Sequence, residues 1–187
     1  MKVLVACEMS GVVREAFKAK GHIAMSCDLM PSEIPGWHYQ GDMFDIIGLG
    51  WDLIIAHPPC THIAVSGNRW YAGTQERRDA ISFVERIWYA SYQGVAVKKI
   101  CIENPVGVLY TQSKLGKPTQ YIQPWQFGHG ETKKTGLWLR GLPPLQPTNI
   151  VSGREQRIWK MGPSANRGIE RSKTFLGIAE AMATQWG

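Results

Sequence analysis

Apolar positions in this chain fall into two kinds of stretch. Lys2–Cys7 (KVLVAC), Ile23–Cys27, Trp51–Ala56 and Val95–Ile102 are short, β-branched and bounded by polar turns. Near-continuous apolar runs of that length predict strands buried on both faces. Val12–Lys20 instead predicts a helix stopped at Gly21, and Arg77–Tyr92 carries Ile81, Phe83, Val84, Ile87 and Trp88 at helical spacing. Ile178–Trp186 predicts a last amphipathic helix and Leu137–Leu139 a short strand, whereas Pro31–Tyr39 and Lys114–Thr119 read as loops. Strands alternating with helices predict an α/β fold, a doubly wound and mostly parallel sheet. No repeat, low-complexity tract or linker divides the chain. The expectation is one domain over residues 1–187, with a basic, loop-rich third at about 112–171.

Composition adds limits. The 187 residues, 44% hydrophobic, suffice for a full core. No apolar run approaches the roughly 20 residues that span a membrane, so no membrane partner is expected. The first run meets Glu8 too soon to be a signal peptide. Four scattered cysteines predict reduced thiols and a cytoplasmic setting. The net charge of +6 suits a polyanionic partner. Much of it gathers in Ser152–Arg171, where Arg154, Arg157, Lys160, Arg167 and Arg171 interleave with Trp159 and glycines. That mixture suits phosphates and unstacked bases, the alternative being a solvated loop.

Candidate chemistry centres on Trp51–Gly67, WDLIIAHPPCTHIAVSG. Pro58 and Pro59 end the strand because proline has no N–H for the ladder, which leaves Cys60 just past a strand's carboxyl end. Open α/β sheets bind ligands there. Cys60 is either a held nucleophile or one more small, buried apolar residue. Asp28, Asp42 and Glu103 lie at or near other strand ends, beside the turn at Ser10-Gly11. They read as ligands converging on one sheet edge or as ordinary caps and turn formers.

These residues together resemble the DNA cytosine carbon-5 methyltransferase family, in a small, phage-like form. Pro59-Cys60 followed by Ser66-Gly67 is similar to its catalytic motif, and Glu103-Asn104-Pro105 to its second, Glu-Asn-Val. The resemblance implies a Rossmann-like class I methyltransferase fold with S-adenosylmethionine as cofactor. Ser10, Gly11, Asp28, Asp42 and Pro59 would bind it, Asp28 at the ribose and Asp42 at the adenine. Cys60 and Glu103 would be catalytic, a thiolate adding to carbon 6 while a carboxylic acid near Glu103 supplies a proton at nitrogen 3. DNA would be the partner, single-stranded or with its base flipped, RNA being the alternative, and its contacts would be Ser66, Arg69, Lys133, Lys134, Arg154, Arg157, Arg167 and Arg171. The sequence departs from the family in lacking the full Phe-x-Gly-x-Gly turn and the Gln-Arg-x-Arg element. It also has no length for the target-recognition region, which points to a homodimer or a helper protein. Competing readings are an amino-group methyltransferase, for which His57-Pro58-Pro59-Cys60 lacks the acid and the aromatic ring, and a degenerate fold that only binds nucleic acid. A zinc deaminase is disfavoured because Ile63 stands where the second cysteine belongs, and no metal is expected.

Overall fold

The computed structural model describes residues 1–90, 97–162, 164 and 167–187. It begins with β1 (Lys2–Ala6), α1 (Val12–Ala19), β2 (Ile23–Asp28), β3 (His38–Gln40) and a 3-10 turn at Met43–Asp45. Then come β4 (Leu53–Ala56), a 3-10 turn at Val65–Gly67, α2 (Asn68–Tyr71), α3 (Gln75–Ala90), β5 (Lys99–Pro105) and α4 (Leu109–Gln112). The rest is β6 (Gln120–Ile122), a 3-10 turn at Pro124–Gln126, β7 (Thr135–Arg140), α5 (Arg157–Lys160), α6 (Arg167–Ser172) and α7 (Leu176–Trp186).

The strands form one sheet in the order β3-β2-β1-β4-β5-β7-β6. β3 to β5 are mutually parallel, and β7 runs antiparallel between β5 and β6. From β1 the chain winds outward through β2 and β3, then returns to β4 on β1's other side. That reversal opens a crevice at the strands' carboxyl ends. Alternate side chains along each central strand serve opposite layers. Val3, Val5, Leu53 and Ile55 meet Val13 and Phe17 of α1 and Met182 and Trp186 of α7. Leu4, Ala6, Ile54 and Ile102 meet Ile81, Val84 and Ile87 of α3 together with Ile46 and Trp51. Ile54 is fully buried, and truncating such a residue to alanine costs about 2–5 kcal/mol.

Three expectations change. His38 and Tyr39, read as the end of the Pro31–Tyr39 loop, belong with Gln40 to the edge strand β3, whose three residues are too few for a period to show. The fourth predicted strand does not end at Ile102 but continues through Pro105, because β7 pairs with it from Ile100↔Arg140 to Pro105↔Thr135. In the C-terminal third, where Leu137–Leu139 is the one strand expected, that strand spans Thr135–Arg140 as β7 and pairs with a further short strand, β6. The predicted helix end at Tyr92 and strand start at Val95 lie outside the described residues. Among the described residues no helix is long and apolar enough to cross a membrane.

Candidate active site

The turn after β1 is built around a buried acid. Cys7 adopts a left-handed backbone (φ 57°), a conformation that costs a non-glycine residue about 1–3 kcal/mol. Glu8, 4% exposed, turns back under α1. Its carboxylate accepts from the Val13 and Arg14 amides (2.6 and 3.3 Å) and from the Ser10 hydroxyl (3.3 Å). Burial pushes the Glu8 carboxyl up from its ordinary value, against the opposing pull of His57 and these bonds. The amides of the first helix, where dinucleotide-binding folds seat a pyrophosphate, are therefore already taken. A ligand at this turn is one that brings no phosphate to it. Gly11 caps α1 with φ 73°, and a Cβ there would press on the Arg14 guanidinium. It shapes the turn but lines neither cavity described next.

Two cavities open along the carboxyl edge of the sheet and share Cys7, Asp28 and Pro59. The smaller, about 550 Å³, is walled by Leu29, Met43, Ala80 and Phe83, with Asp28 and Asp42 on the strand side and His62, Glu76 and Asp79 on the other. Both carboxylates are fixed by their own turns, Asp28 by the Met30 amide and Asp42 by the Phe44 amide, each at 2.9 Å. A slot with apolar walls and a carboxylate near two strand ends suits a nucleoside, the acids accepting from sugar hydroxyls or a base amino group. The larger, about 800 Å³, holds Ser10, His57, Cys60, Ser66, Trp70, Arg167, Arg171 and Thr174 in its lining. Expected cofactor and nucleophile positions thus meet at Asp28 and Pro59.

Around Cys60 the neighbouring strand does the positioning. Asn104 Nδ2 donates to the Pro58 carbonyl (2.9 Å), and the Cys60 carbonyl accepts from Ile63 and Ala64 to start the following turn. Because β4 pairs with β5 at Ala56↔Ile102, the next residues, His57 and Glu103, come side by side. Their side chains, each 10% exposed, form an ion pair with Nδ1 to Oε2 at 2.7 Å, and the Thr174 hydroxyl also donates to Glu103 (3.4 Å). Burial alone would raise the Glu103 carboxyl, but His57 and Lys133 outweigh it and hold it down at about 2. Burial likewise works to lower His57, and Glu103, with Glu8, reverses that and keeps it raised. In place of the carboxylic acid expected at Glu103, the pair favours a carboxylate there and holds the His57 proton to a pH above its ordinary value. Glu103 reaches the larger cavity only through His57 and Thr174, which line it. Burial pushes the Cys60 thiol up, with Lys133 and Arg171 pulling it partly back.

The expected nucleic-acid contacts separate into two groups. Arg167 and Arg171 line the larger cavity, and neither makes an ion pair among the described residues. Ser66 also lines it, and Arg69 stands on α2 with its guanidinium 5.2 Å from the Trp70 ring. The other four are engaged within the fold and line neither cavity. Arg154 stacks on Trp125 (3.9 Å) and Arg157 pairs with Glu131 (2.9 Å). Lys134 sits over Tyr121 (4.4 Å), and Lys133 donates to the Lys173 carbonyl (3.4 Å).

Sequence reasoning gave no site role to Glu8, His57, Asn104 and Thr174, although His57 and Asn104 stood within the motifs it singled out. Glu8 and His57 carried a readable signal, each a polar residue closely following a buried strand. The pairing of His57 with Glu103 needed the register of two strands. Thr174 had no signal, since only the path of the chain after α6 brings it to Glu103.

No family model matches the chain, and no curated protein matches it. Solved structures do. One is an E. coli protein named as a candidate DNA modification methyltransferase encoded within a prophage. It aligns with 87% of this chain and 55% of its own, at a TM-score of 0.57 and 13% identity. This chain thus spans about half the length of that neighbour. At such identity the likeness is one of architecture, and with the sheet order above it places this chain in the Rossmann-like methyltransferase fold class.

Proposed function

We propose that this protein is an S-adenosylmethionine-dependent methyltransferase acting on DNA, at carbon 5 of cytosine, through a covalent adduct on Cys60. The observation that carries the proposal is the joining of the two cavities at Asp28 and Pro59, with Asp42 in one and Cys60 in the other. Asp28 would hold the ribose hydroxyls and Asp42 the adenine edge, while the apolar walls at Leu29 and Phe83 cover the ring. The α1 amides are consumed by Glu8, as suits a cofactor without phosphate. S-adenosylmethionine, when bound, supplies an electrophilic methyl group. Carbon 5 of cytosine becomes nucleophilic only after addition at carbon 6, the step for which a cysteine sulfur is suited. Pro58 and Pro59, pinned through Asn104, hold that sulfur at the joint.

Methyl transfer to a base amino group is the second reading. It is favoured by the raised Cys60 thiol and by the position of Glu103 behind His57, since that chemistry needs no thiolate. Incubation with DNA and S-adenosylmethionine, followed by mass spectrometry of the nucleosides, separates the two. 5-Methylcytosine, with a Cys60 adduct trapped by 5-fluorocytosine DNA, is the expected result. An N-methylated base without an adduct replaces the first reading by the second, and no methylated base removes both.

A further inference from the structure

The larger cavity has an aromatic group on its lining that no step above uses. Trp70 is 70% exposed, although a ring of that size normally gains by burial. It stands on the four-residue helix α2, which begins eight residues after Cys60 in a connection held from below. Arg77, 3% exposed, donates to the His62 carbonyl (2.9 Å) and the Asn68 side chain (2.7 Å). The Trp70 ring is therefore carried by a braced loop. Arg69 lies against its neighbour's ring, and the same cavity is lined by Arg167 and Arg171. Exposed aromatic surface beside guanidinium groups without ion pairs is the combination that binds single strands: the ring stacks on a base of any identity and the cations take phosphates. A paired base within a duplex offers no face to such a ring.

We propose that the mouth of this cavity is a stacking platform for an unpaired base of single-stranded DNA, with Trp70 as its aromatic face and Arg167 and Arg171 as its phosphate contacts. The inference rests on the nucleic-acid part of the reading above and narrows the substrate to a strand whose bases are already unpaired. Stacking of this kind requires no particular base sequence.

The test is fluorescence anisotropy at one fixed salt concentration on the full chain, with a labelled oligo(dT) of about 12 nucleotides, within the span such sites cover. An abasic deoxyribose-phosphate chain of the same length and the oligo(dT)·oligo(dA) duplex are the comparisons. Oligo(dT) should bind more tightly than either. Trp70→Ala should weaken oligo(dT) binding about 5- to 150-fold, as for loss of one stacked base, and leave the abasic chain unaffected. Trp70→Phe should restore most of the loss. Equal affinity for oligo(dT) and the abasic chain, preference for the duplex, or an unchanged Trp70→Ala would overturn the platform. Calorimetry with S-adenosylmethionine on the same samples keeps the two proposals apart. Cofactor binding without base preference removes the platform and leaves the methyltransferase reading. Base preference without cofactor binding does the reverse.

Discussion

The two flanks of the larger cavity are made of different material. On the parallel side, the ends of β1, β4 and β5 supply Glu8, His57, Glu103 and Asn104, all nearly or fully withdrawn from solvent and hydrogen-bonded to fixed partners. On the other side, α6 supplies Arg167 and Arg171 from short, partly exposed structure. The contrast divides labour by rigidity. The buried groups that position one another sit on strands whose neighbours over-determine them, while the cavity's arginines sit where small errors in placement cost little. Substitutions on the parallel side should therefore be severe and specific, and those on the α6 side mild and graded.

The sharpest break of that comparison is at Cys60. Cys60→Ser preserves size but removes a nucleophile that no other group replaces, so methyl transfer should fall by several orders of magnitude. Cofactor binding, proposed for the smaller cavity, should survive. Turnover assays with labelled methyl donor and calorimetry on the same protein check both halves. Sustained methylation by the serine variant would transfer the chemistry to the amino-group reading.

Next in size is the buried ion pair. Glu103→Gln leaves the His57 imidazolium without its partner, and breaking a buried pair from one side costs about 3–5 kcal/mol. The pH dependence carries the sign. Glu103 is depressed from 4.5 to about 2 on folding, so its contribution is present above 4.5 and lost as pH falls towards about 2. His57 is raised from 6.5, so its contribution is present below 6.5 and lost as pH rises through the higher folded value. Glu8, raised from 4.5 mainly by burial, also loses its contribution as pH rises. Urea denaturation of the wild type should therefore show an acid limb below 4.5 from Glu103, a loss beginning above 4.5 from Glu8 and a further alkaline limb above 6.5 from His57. In Glu103→Gln the acid limb should shrink and the alkaline limb move down. A variant as stable as wild type between those limits would show that the pair contributes nothing.

In the smaller cavity, Asp28→Ala removes a carboxylate from the edge of β2 without disturbing the core. Loss of hydrogen bonds to a charged group predicts weaker S-adenosylmethionine binding by about 1.5–3 kcal/mol. Calorimetry reads this directly, and an unchanged affinity would place the cofactor elsewhere.

The same division decides what the sequence could reveal. Lys2–Cys7, Ile23–Cys27 and Trp51–Ala56 were legible because strands buried on both faces are mostly apolar, with Ser26 the one buried polar side chain among them. Their ends, hence Asp28 and Cys60, followed from where those runs stop. β3 and β6 were illegible because three-residue edge strands are specified by pairing with a neighbour and not by a period. Likewise Arg154 and Arg167 look equivalent as arginines in a basic, glycine-containing stretch. Only tertiary placement puts one on Trp125 and the other in the cavity.

That last difference yields the smallest and most discriminating prediction. If the α6 side meets the phosphate backbone, Arg167→Ala and Arg171→Ala should each remove one phosphate contact. The slope of log affinity against log salt should then fall by about 0.7 per contact for a single strand, with the loss spread evenly over sequences. Arg154→Ala and Arg157→Ala should leave the slope unchanged, because Arg154 is committed to Trp125 and Arg157 to Glu131 within the fold. Their only cost should be in stability. For the partly exposed Arg157–Glu131 pair that is about 0.2–1 kcal/mol, lessened further by salt. Salt titrations of all four variants on one oligonucleotide give the comparison internally. Equal slopes in the two pairs would mean that the basic segment binds by total charge alone, and the distinction between cavity arginines and committed ones would have no consequence for DNA.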